Sequence, residues 1–214
     1  MDGGPQDNTR VRRLEEMASA LELLNELASP SVLLACPLVM LNPLIWNLIV
    51  RHEYNTRSVS RLCGGPRAGV VLVACIVMVN NSIRTSFFHY IVGKNSKLQF
   101  LEDNVGATIA GYVIIGVGVL LVLSSTWRLG FFCTFLGDYF GILLDARVTG
   151  FPFNILNHPM FWGSFLIYVG DSVLCASAVA FLLSLFIGLS YVLAAAFEVP
   201  FTAKIYAQKE TKKI

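Results

Sequence analysis

Four long apolar blocks limit what this chain can fold into more than any other feature of its sequence. A helix needs about 20 predominantly apolar residues to cross a hydrocarbon core of about 30 Å, and the blocks approach or exceed that length. They are Ser31–Val50, Ala68–Ile83, Val105–Trp127 and Phe161–Phe197. Only 14% of the residues are charged, against about a quarter in soluble domains. The sequence therefore predicts an all-α, polytopic integral membrane protein with three to four transmembrane helices.

The first block leaves two interpretations open. Pro37 and the pair Asn42-Pro43 interrupt it, and a proline removes a helical hydrogen bond and bends the helix. A kinked crossing and a re-entrant segment both agree with this pattern. The fold prediction therefore includes a re-entrant or interfacial helix beside the spans.

The last block is too long for one crossing. As a single helix, Phe161–Phe197 would extend about 55 Å at about 1.5 Å per residue. We expect a break near Gly170-Asp171-Ser172 or at Ser177, so that the last span begins at about Ala178.

Polar ends divide the chain into three parts. Residues 1–30 form a tail with apolar residues at helical spacing, typical of a surface-lying amphipathic helix, a partner-binding arm or a solvated helical tail. Residues 31–204 form the membrane-embedded domain and residues 205–214 a basic C-terminal tail, whose lysines favour the cytoplasmic side. The net charge of +2 is too small to indicate nucleic acid, and no C-x-x-C pair occurs, so we expect no metal site.

Two acids lie where apolar blocks meet polar segments. Asp138 lies within GDYFG, part of a run too aromatic for a solvated loop and too charged for a span. A carboxylate among aromatic rings can attract a cation, although the rings also fit an interfacial aromatic belt. Glu198 ends the last apolar block, and an acid so close to the bilayer is a functional candidate. Solvation, or pairing with Lys204, would also explain Glu198.

The remaining polar and glycine features have simpler explanations. Gly116-Val117-Gly118 in the third block suits either close helix packing or a backbone that a ligand approaches. We expect Asp171 to cap a helix or mark the bend, and His158 to cap or line the turn at Pro159.

Several stretches resemble the phosphatidylethanolamine N-methyltransferases of the phospholipid methyltransferase family, in order and with similar spacing. They are LNPLIWNLIVRHEYNTR, GVGVLLVLSS, FLGDYFGILLDARVTGFPFNIL, NHPMFWGS and FEVPFTAKIYAQK. The resemblance extends from about Leu41 to Lys209, nearly the whole chain after its N-terminal tail.

The resemblance implies a multi-pass enzyme of the endoplasmic reticulum, and of mitochondria-associated membranes. Its methyl donor would be S-adenosyl-L-methionine, and no metal is implied. Phosphatidylethanolamine would be methylated through mono- and dimethyl intermediates to phosphatidylcholine.

The resemblance also assigns residues. In the family a G-x-G within a span and an acidic pair after the last span bind the methyl donor. Gly116, Val117 and Gly118 match the first motif and Glu198 matches the first acid, whereas Val199 stands in place of the second acid. For holding the ammonium group and accepting its proton, the candidates are Asp138, Tyr139 and Glu198.

Two other functions remain open at this point. One is a non-catalytic lipid-binding or scaffold relative that lost the donor site, which Val199 keeps open. The other is a membrane methyltransferase acting on another acceptor, such as a prenylcysteine carboxylate.

Overall fold

A computed structural model describes residues 5–146 and 148–211, and in that part of the chain all regular structure is helical. The helices are α1 Pro5–Leu27, α2 Pro30–Thr56, α3 Ser58–Leu62, α4 Pro66–Val92, α5 Gln99–Glu102, α6 Val105–Thr134, a short 3₁₀ helix Gly137–Phe140, α7 Pro159–Leu174 and α8 Ala178–Thr211. Four of them, α2, α4, α6 and α8, are long and apolar enough to cross a membrane. The prediction of an all-α polytopic membrane protein is confirmed.

The first apolar block forms a full-length helix. α2 has 27 residues and continues through Pro37 and Pro43. A continuous helix of this length agrees with a crossing rather than with a re-entrant segment.

The last apolar block is broken at Ser177, the second of the two positions expected from the sequence. α7 ends at Leu174 and α8 begins at Ala178, so residues 175–177 separate them. α8 then continues as one helix to Thr211, beyond the end of the apolar block.

Glycines bring α6 and α7 into backbone contact. A Cβ atom on Gly118 would lie 2.6 Å from the Gly163 carbonyl oxygen, and one on Gly170 would lie 2.7 Å from the Gly111 carbonyl oxygen. Contacts this close admit no larger residue, which is typical of helix pairs in membranes. The matching of Gly111 with Gly170 and of Gly118 with Gly163 shows that the two helices are antiparallel.

Helix ends gather at two opposite ends of the bundle. At the first, which we call the Ala178 end, α2 and α6 begin and α4 and α7 stop; there Leu98 donates from its backbone to the Ala176 carbonyl at 2.7 Å. At the second, the Lys209 end, lie the turn after Thr56, the 3₁₀ helix and the last turns of α8. Lys209 Nζ donates to the Leu144 carbonyl there at 2.7 Å.

The N-terminal tail is helical from Pro5 to Leu27. Its apolar residues Leu14, Met17, Leu21 and Leu24 are all about 60% exposed. The helical conformation agrees with each of the three interpretations of this tail, and the choice between them stays a prediction.

Candidate active site

The Lys209 end brings together Asp138, Tyr139 and Glu198. α6 is kinked at Gly130, whose φ of 68° lies in the left-handed region. After α6, the 3₁₀ helix turns tightly, and a Cβ atom on Gly137 would lie 2.6 Å from the Phe132 carbonyl oxygen. These two glycines allow the chain to fold back so that the 3₁₀ helix packs among α2, α4 and α8.

Tyr139 anchors the 3₁₀ helix in the core. Its side chain is fully buried, and its ring stacks on the Phe201 ring of α8 with centroids 5.3 Å apart and planes 4° from parallel. The Tyr139 hydroxyl lies near the Thr202 hydroxyl, yet their geometry does not complete a hydrogen bond. A buried hydroxyl without a partner is uncommon in proteins, so Tyr139 keeps hydrogen-bonding capacity at this site.

Asp138 and Glu198 face each other across the gap between the 3₁₀ helix and α8. Asp138 Oδ2 accepts a hydrogen bond from the Thr202 hydroxyl at 3.2 Å. Glu198 lies one turn before Thr202 and is close enough to Asp138 for the two carboxyl groups to interact electrostatically. Among the residues that the structure describes, neither acid has a cationic partner. Because like charges repel, a cation bound between the two acids would stabilise this arrangement.

A cavity of about 350 Å³ opens beside Asp138. It is lined by Tyr54, Arg57, Asp138, Gly141, Leu143, Ile205, Gln208 and Lys209. The Tyr54 hydroxyl donates to Gln208 Oε1 at 2.7 Å, which ties α2 to α8 at its wall. The cavity therefore offers cationic, anionic, amide and aromatic groups, the mixture that a ligand with several functional groups requires.

A groove of about 340 Å³ opens beside Phe201. It is lined by Arg51, Ala196, Phe197, Pro200, Phe201 and Lys204. The Arg51 guanidinium lies 4.8 Å from the Phe201 ring centroid and donates to the Phe197 carbonyl. This groove is basic and aromatic, whereas the cavity carries charges of both signs.

Glu53, which lies between Arg51 and Arg57 in the sequence, has a structural role. Glu53 is 1% exposed, and it accepts hydrogen bonds from the backbone of Val59 at 2.7 Å and from the Ser60 hydroxyl at 2.5 Å. These bonds hold the turn at Arg57, whose φ of 54° is left-handed. Glu53 thereby positions Arg57 at the cavity wall.

Sequence reasoning missed the basic and aromatic residues of both openings. They are Arg51, Tyr54, Arg57, Phe201, Lys204 and Lys209, together with the amide Gln208. All seven belong to the two stretches that carry the family resemblance at the ends of α2 and α8. That clustering was the one available signal.

The glycine motif lies elsewhere. Gly118 packs against Gly163, whereas Gly116 faces open space and Val117 is 46% exposed. From Gly118 to the end of α6 is about 24 Å of helix, and α7 packs between α6 and α8. The structure therefore does not bring the glycines to the two acids, and their assignment to the donor stays a prediction. The same holds for Val199, which is 47% exposed beside Glu198.

A second polar cluster lies at the Ala178 end. His89 Nε2 lies 3.0 Å from Asp171 Oδ2, and His89 Nδ1 donates to the Thr85 carbonyl at 3.0 Å. The Cys175 thiol donates to Asp171 at 3.8 Å, and burial raises the pKa of this thiol. A protonated thiol and a histidine held by two acceptors form a link between α4 and α7. The expectation that Asp171 caps a helix or marks the bend is therefore wrong. Asp171 lies within α7 and pairs with His89.

His158 also differs in part from its expected role. It occupies the N-cap position of α7 but makes no capping hydrogen bond with its side chain. Its ring stacks on Phe161 with centroids 5.8 Å apart.

Comparison with known proteins agrees with the resemblance seen in the sequence. The family model for phospholipid methyltransferases matches residues 107–209. The chain is 43% identical over 180 residues to phosphatidylethanolamine N-methyltransferase of Homo sapiens, covering 84% of this chain and 90% of the relative. It is 36% identical over 188 residues to phosphatidyl-N-methylethanolamine N-methyltransferase of Saccharomyces cerevisiae, covering 88% of this chain and 91% of the relative.

No solved structure matches this chain. Identity above a third along almost the full length of such relatives is decisive for the family. The chain belongs to the phospholipid methyltransferase family.

Proposed function

We propose that this protein transfers methyl groups from S-adenosyl-L-methionine to the amine of phosphatidylethanolamine, through mono- and dimethyl intermediates, to form phosphatidylcholine. The observation that carries the proposal is the pair Asp138 and Glu198, two acids that face each other without a cation in the described part of the chain. The ammonium group of an aminolipid is a cation of the right chemistry for this pair. The names of the relatives agree with this substrate class.

The amine must lose a proton before it can be methylated. A primary amine like that of lysine has a pKa of about 10.4, so supplying its neutral form at pH 7 costs about 4–5 kcal/mol. Desolvation beside Tyr139 and Phe201 favours the neutral amine, and a carboxylate of Asp138 or Glu198 accepts the proton. The remaining task is to hold the nitrogen in line with the donor methyl group.

The cavity beside Asp138 is the candidate site for the donor. The donor supplies an electrophilic methyl group on a sulfonium and carries an amino acid moiety and an adenine. Arg57 and Lys209 would hold its carboxylate, Asp138 its positive charge, and Tyr54 and Gln208 its ring system. From the family resemblance we retain Gly116, Val117, Gly118, Glu198 and Val199 as donor-site candidates.

The same end of the bundle is the better candidate for the cytoplasmic side. It carries the basic residues Arg51, Arg57, Arg61, Arg67, Lys204 and Lys209. Positive charge beside membrane spans favours the cytoplasm, where a soluble donor is available. We place the enzyme in the endoplasmic reticulum membrane on the family resemblance.

Purified protein in phosphatidylethanolamine vesicles, supplied with S-adenosylmethionine labelled in its methyl group, tests the proposal. We expect label in mono-, di- and trimethylated lipid. Vesicles that contain the monomethyl or dimethyl lipid, tested in parallel, show which acceptor is used best. Donor binding without labelled lipid would contradict this acceptor, and absence of both would point to a non-catalytic relative.

A further inference from the structure

We propose that the groove between α2 and α8 binds the phosphodiester of the acceptor lipid, through Arg51 and Lys204. The inference rests on the proposed function and adds to it a second contact, which is separate from the contact to the amine. It concerns the groove residues Arg51, Phe197, Phe201 and Lys204.

The two cations have no anionic partner among the residues that the structure describes. Within residues 5–146 and 148–211, neither Arg51 nor Lys204 forms an ion pair. Arg51 Nε is buried and lacks a hydrogen-bond partner. A buried guanidinium N–H without a partner is costly, because a donor removed from water loses its hydrogen bonds. An anion in the groove would satisfy it.

Arg51 is held in position before any ligand arrives. Its guanidinium donates to the Phe197 carbonyl and lies over the rings of Phe201 and Phe197, at 4.8 and 5.9 Å from their centroids. A fixed guanidinium loses little entropy on binding, and its forked N–H donors match the oxygens of a phosphate.

The depth of the groove suits a head group. Arg51 lies five residues before the end of α2 at Thr56, and Lys204 lies seven residues before the end of α8 at Thr211. About one and a half turns separate Arg51 from the end of its helix, and about two turns separate Lys204 from the end of its helix. Long basic side chains near the ends of membrane helices reach the lipid phosphates.

Phe201 links this groove to the two acids. One neighbour of its ring is Arg51, at 4.8 Å, and another is Tyr139, at 5.3 Å. Asp138 is the chain neighbour of Tyr139, so Phe201 connects Arg51 to the 3₁₀ helix that carries this acid. In an aminolipid two carbons separate the phosphodiester from the amine, and a zwitterion of that form pairs with both groups at once.

The test measures kinetics of the full chain in mixed micelles. Lys204→Gln removes an exposed cation that makes no hydrogen bond to the protein, so folding should be unaffected. Arg51→Gln and Arg51→Lys complete the series, and Lys94→Gln at the Ala178 end is the matched control. We expect the apparent KM for phosphatidylethanolamine to rise about tenfold for Lys204→Gln and Arg51→Gln. Arg51→Lys should recover part of the loss, and the KM for S-adenosylmethionine should stay at the wild-type value.

A second acceptor isolates the phosphate contact. It is a two-chain amine lipid with the same aminoethyl group but no phosphate. We expect wild-type protein to prefer phosphatidylethanolamine over this lipid. We expect the variants Lys204→Gln and Arg51→Gln to lose that preference. Inorganic phosphate should not compete with the lipid, because the bilayer holds the lipid phosphate at the groove.

Several outcomes would overturn the inference while leaving the proposed function intact. One is an unchanged lipid KM for Lys204→Gln in an active enzyme. Another is a raised KM for the donor, which would assign the groove to the donor carboxylate. Competition by inorganic phosphate would assign it to a free anion. If wild-type protein methylates neither acceptor, the proposed function itself fails.

Discussion

The two ends of the helix bundle differ in how their charged residues are paired. At the Ala178 end basic and acidic side chains lie against each other: His89 lies 3.0 Å from Asp171, and Lys97 lies 2.9 Å from Glu102. Both pairs are partly exposed, so each contributes little to stability. They hold neighbouring segments together.

At the Lys209 end Lys209 and Asp145 lie 3.8 Å apart, but most other charges are left unpaired. Asp138, Glu198, Arg51 and Arg57 have no partner of opposite charge in the part of the chain that the structure describes. Unpaired charges near a membrane are unfavourable unless a ligand or water compensates them. The ligand proposed above carries charges of both signs and would compensate them.

The largest expected effect is the loss of methylation rate when Glu198 is replaced. Replacing it with Gln removes one of the two acids without changing the volume of the side chain. We expect the initial methylation rate to fall about 100-fold or more, the magnitude typical of a group that transfers protons. The rate is measured with labelled donor at saturating lipid. Glu102→Gln at the Ala178 end is the control, and an equal fall in that variant would contradict the distinction between the two ends.

The next largest effect concerns the contact between α6 and α7. Gly118→Ala places a methyl group 2.6 Å from the Gly163 carbonyl oxygen, and we expect a destabilisation of about 1–3 kcal/mol. Gly116→Ala is the matched control, because nothing lies within 4 Å of its Cβ position. Thermal unfolding in detergent measures both. Donor affinity, measured on Gly116→Ala, decides separately whether this glycine binds the donor; a loss of affinity there would move the donor site towards α6.

A smaller effect, a gain in donor affinity, is expected from placing the second acid of the family motif at position 199. Val199 is 47% exposed, so a carboxylate at this position keeps contact with water. If the acidic pair holds the donor, Val199→Glu should tighten donor binding about tenfold, the value of one charge-assisted hydrogen bond. Calorimetric titration with S-adenosylmethionine measures this. Unchanged affinity would remove residue 199 from the donor site.

The smallest effect is expected at the paired end. His89→Gln breaks the contact with Asp171, and we expect a loss of less than about 1 kcal/mol of stability. The methylation rate should stay at the wild-type value. A large loss of rate would show that the Ala178 end takes part in the reaction.

Apolar length predicted the architecture well. The spans and the break between α7 and α8 follow from how much helix a bilayer accommodates, and Ala178 was the expected start of α8. Asp138 and Glu198 could be found from the sequence because acids are rare beside apolar blocks. Neither inference requires knowledge of which helices pack together.

Contacts between distant helices could not be predicted in the same way. The pairing of Gly118 with Gly163, and of Arg51 with the Phe197 carbonyl, depends on helix packing that no local pattern encodes. The structural role of Glu53 likewise became clear only once the turn at Arg57 was in place. Family resemblance identified the stretches that contain these residues, but not their partners.

The most direct test compares Asp138→Asn with Asp171→Asn in the same phosphatidylethanolamine vesicles, with methyl transfer and donor binding measured on each sample. Both substitutions neutralise one acid, the first at the Lys209 end and the second at the Ala178 end. We predict, at saturating donor, a rate at least about 100-fold lower for Asp138→Asn, and a rate and a donor affinity close to wild type for Asp171→Asn. A wild-type rate for Asp138→Asn, or an inactive Asp171→Asn that still binds donor, would contradict the account.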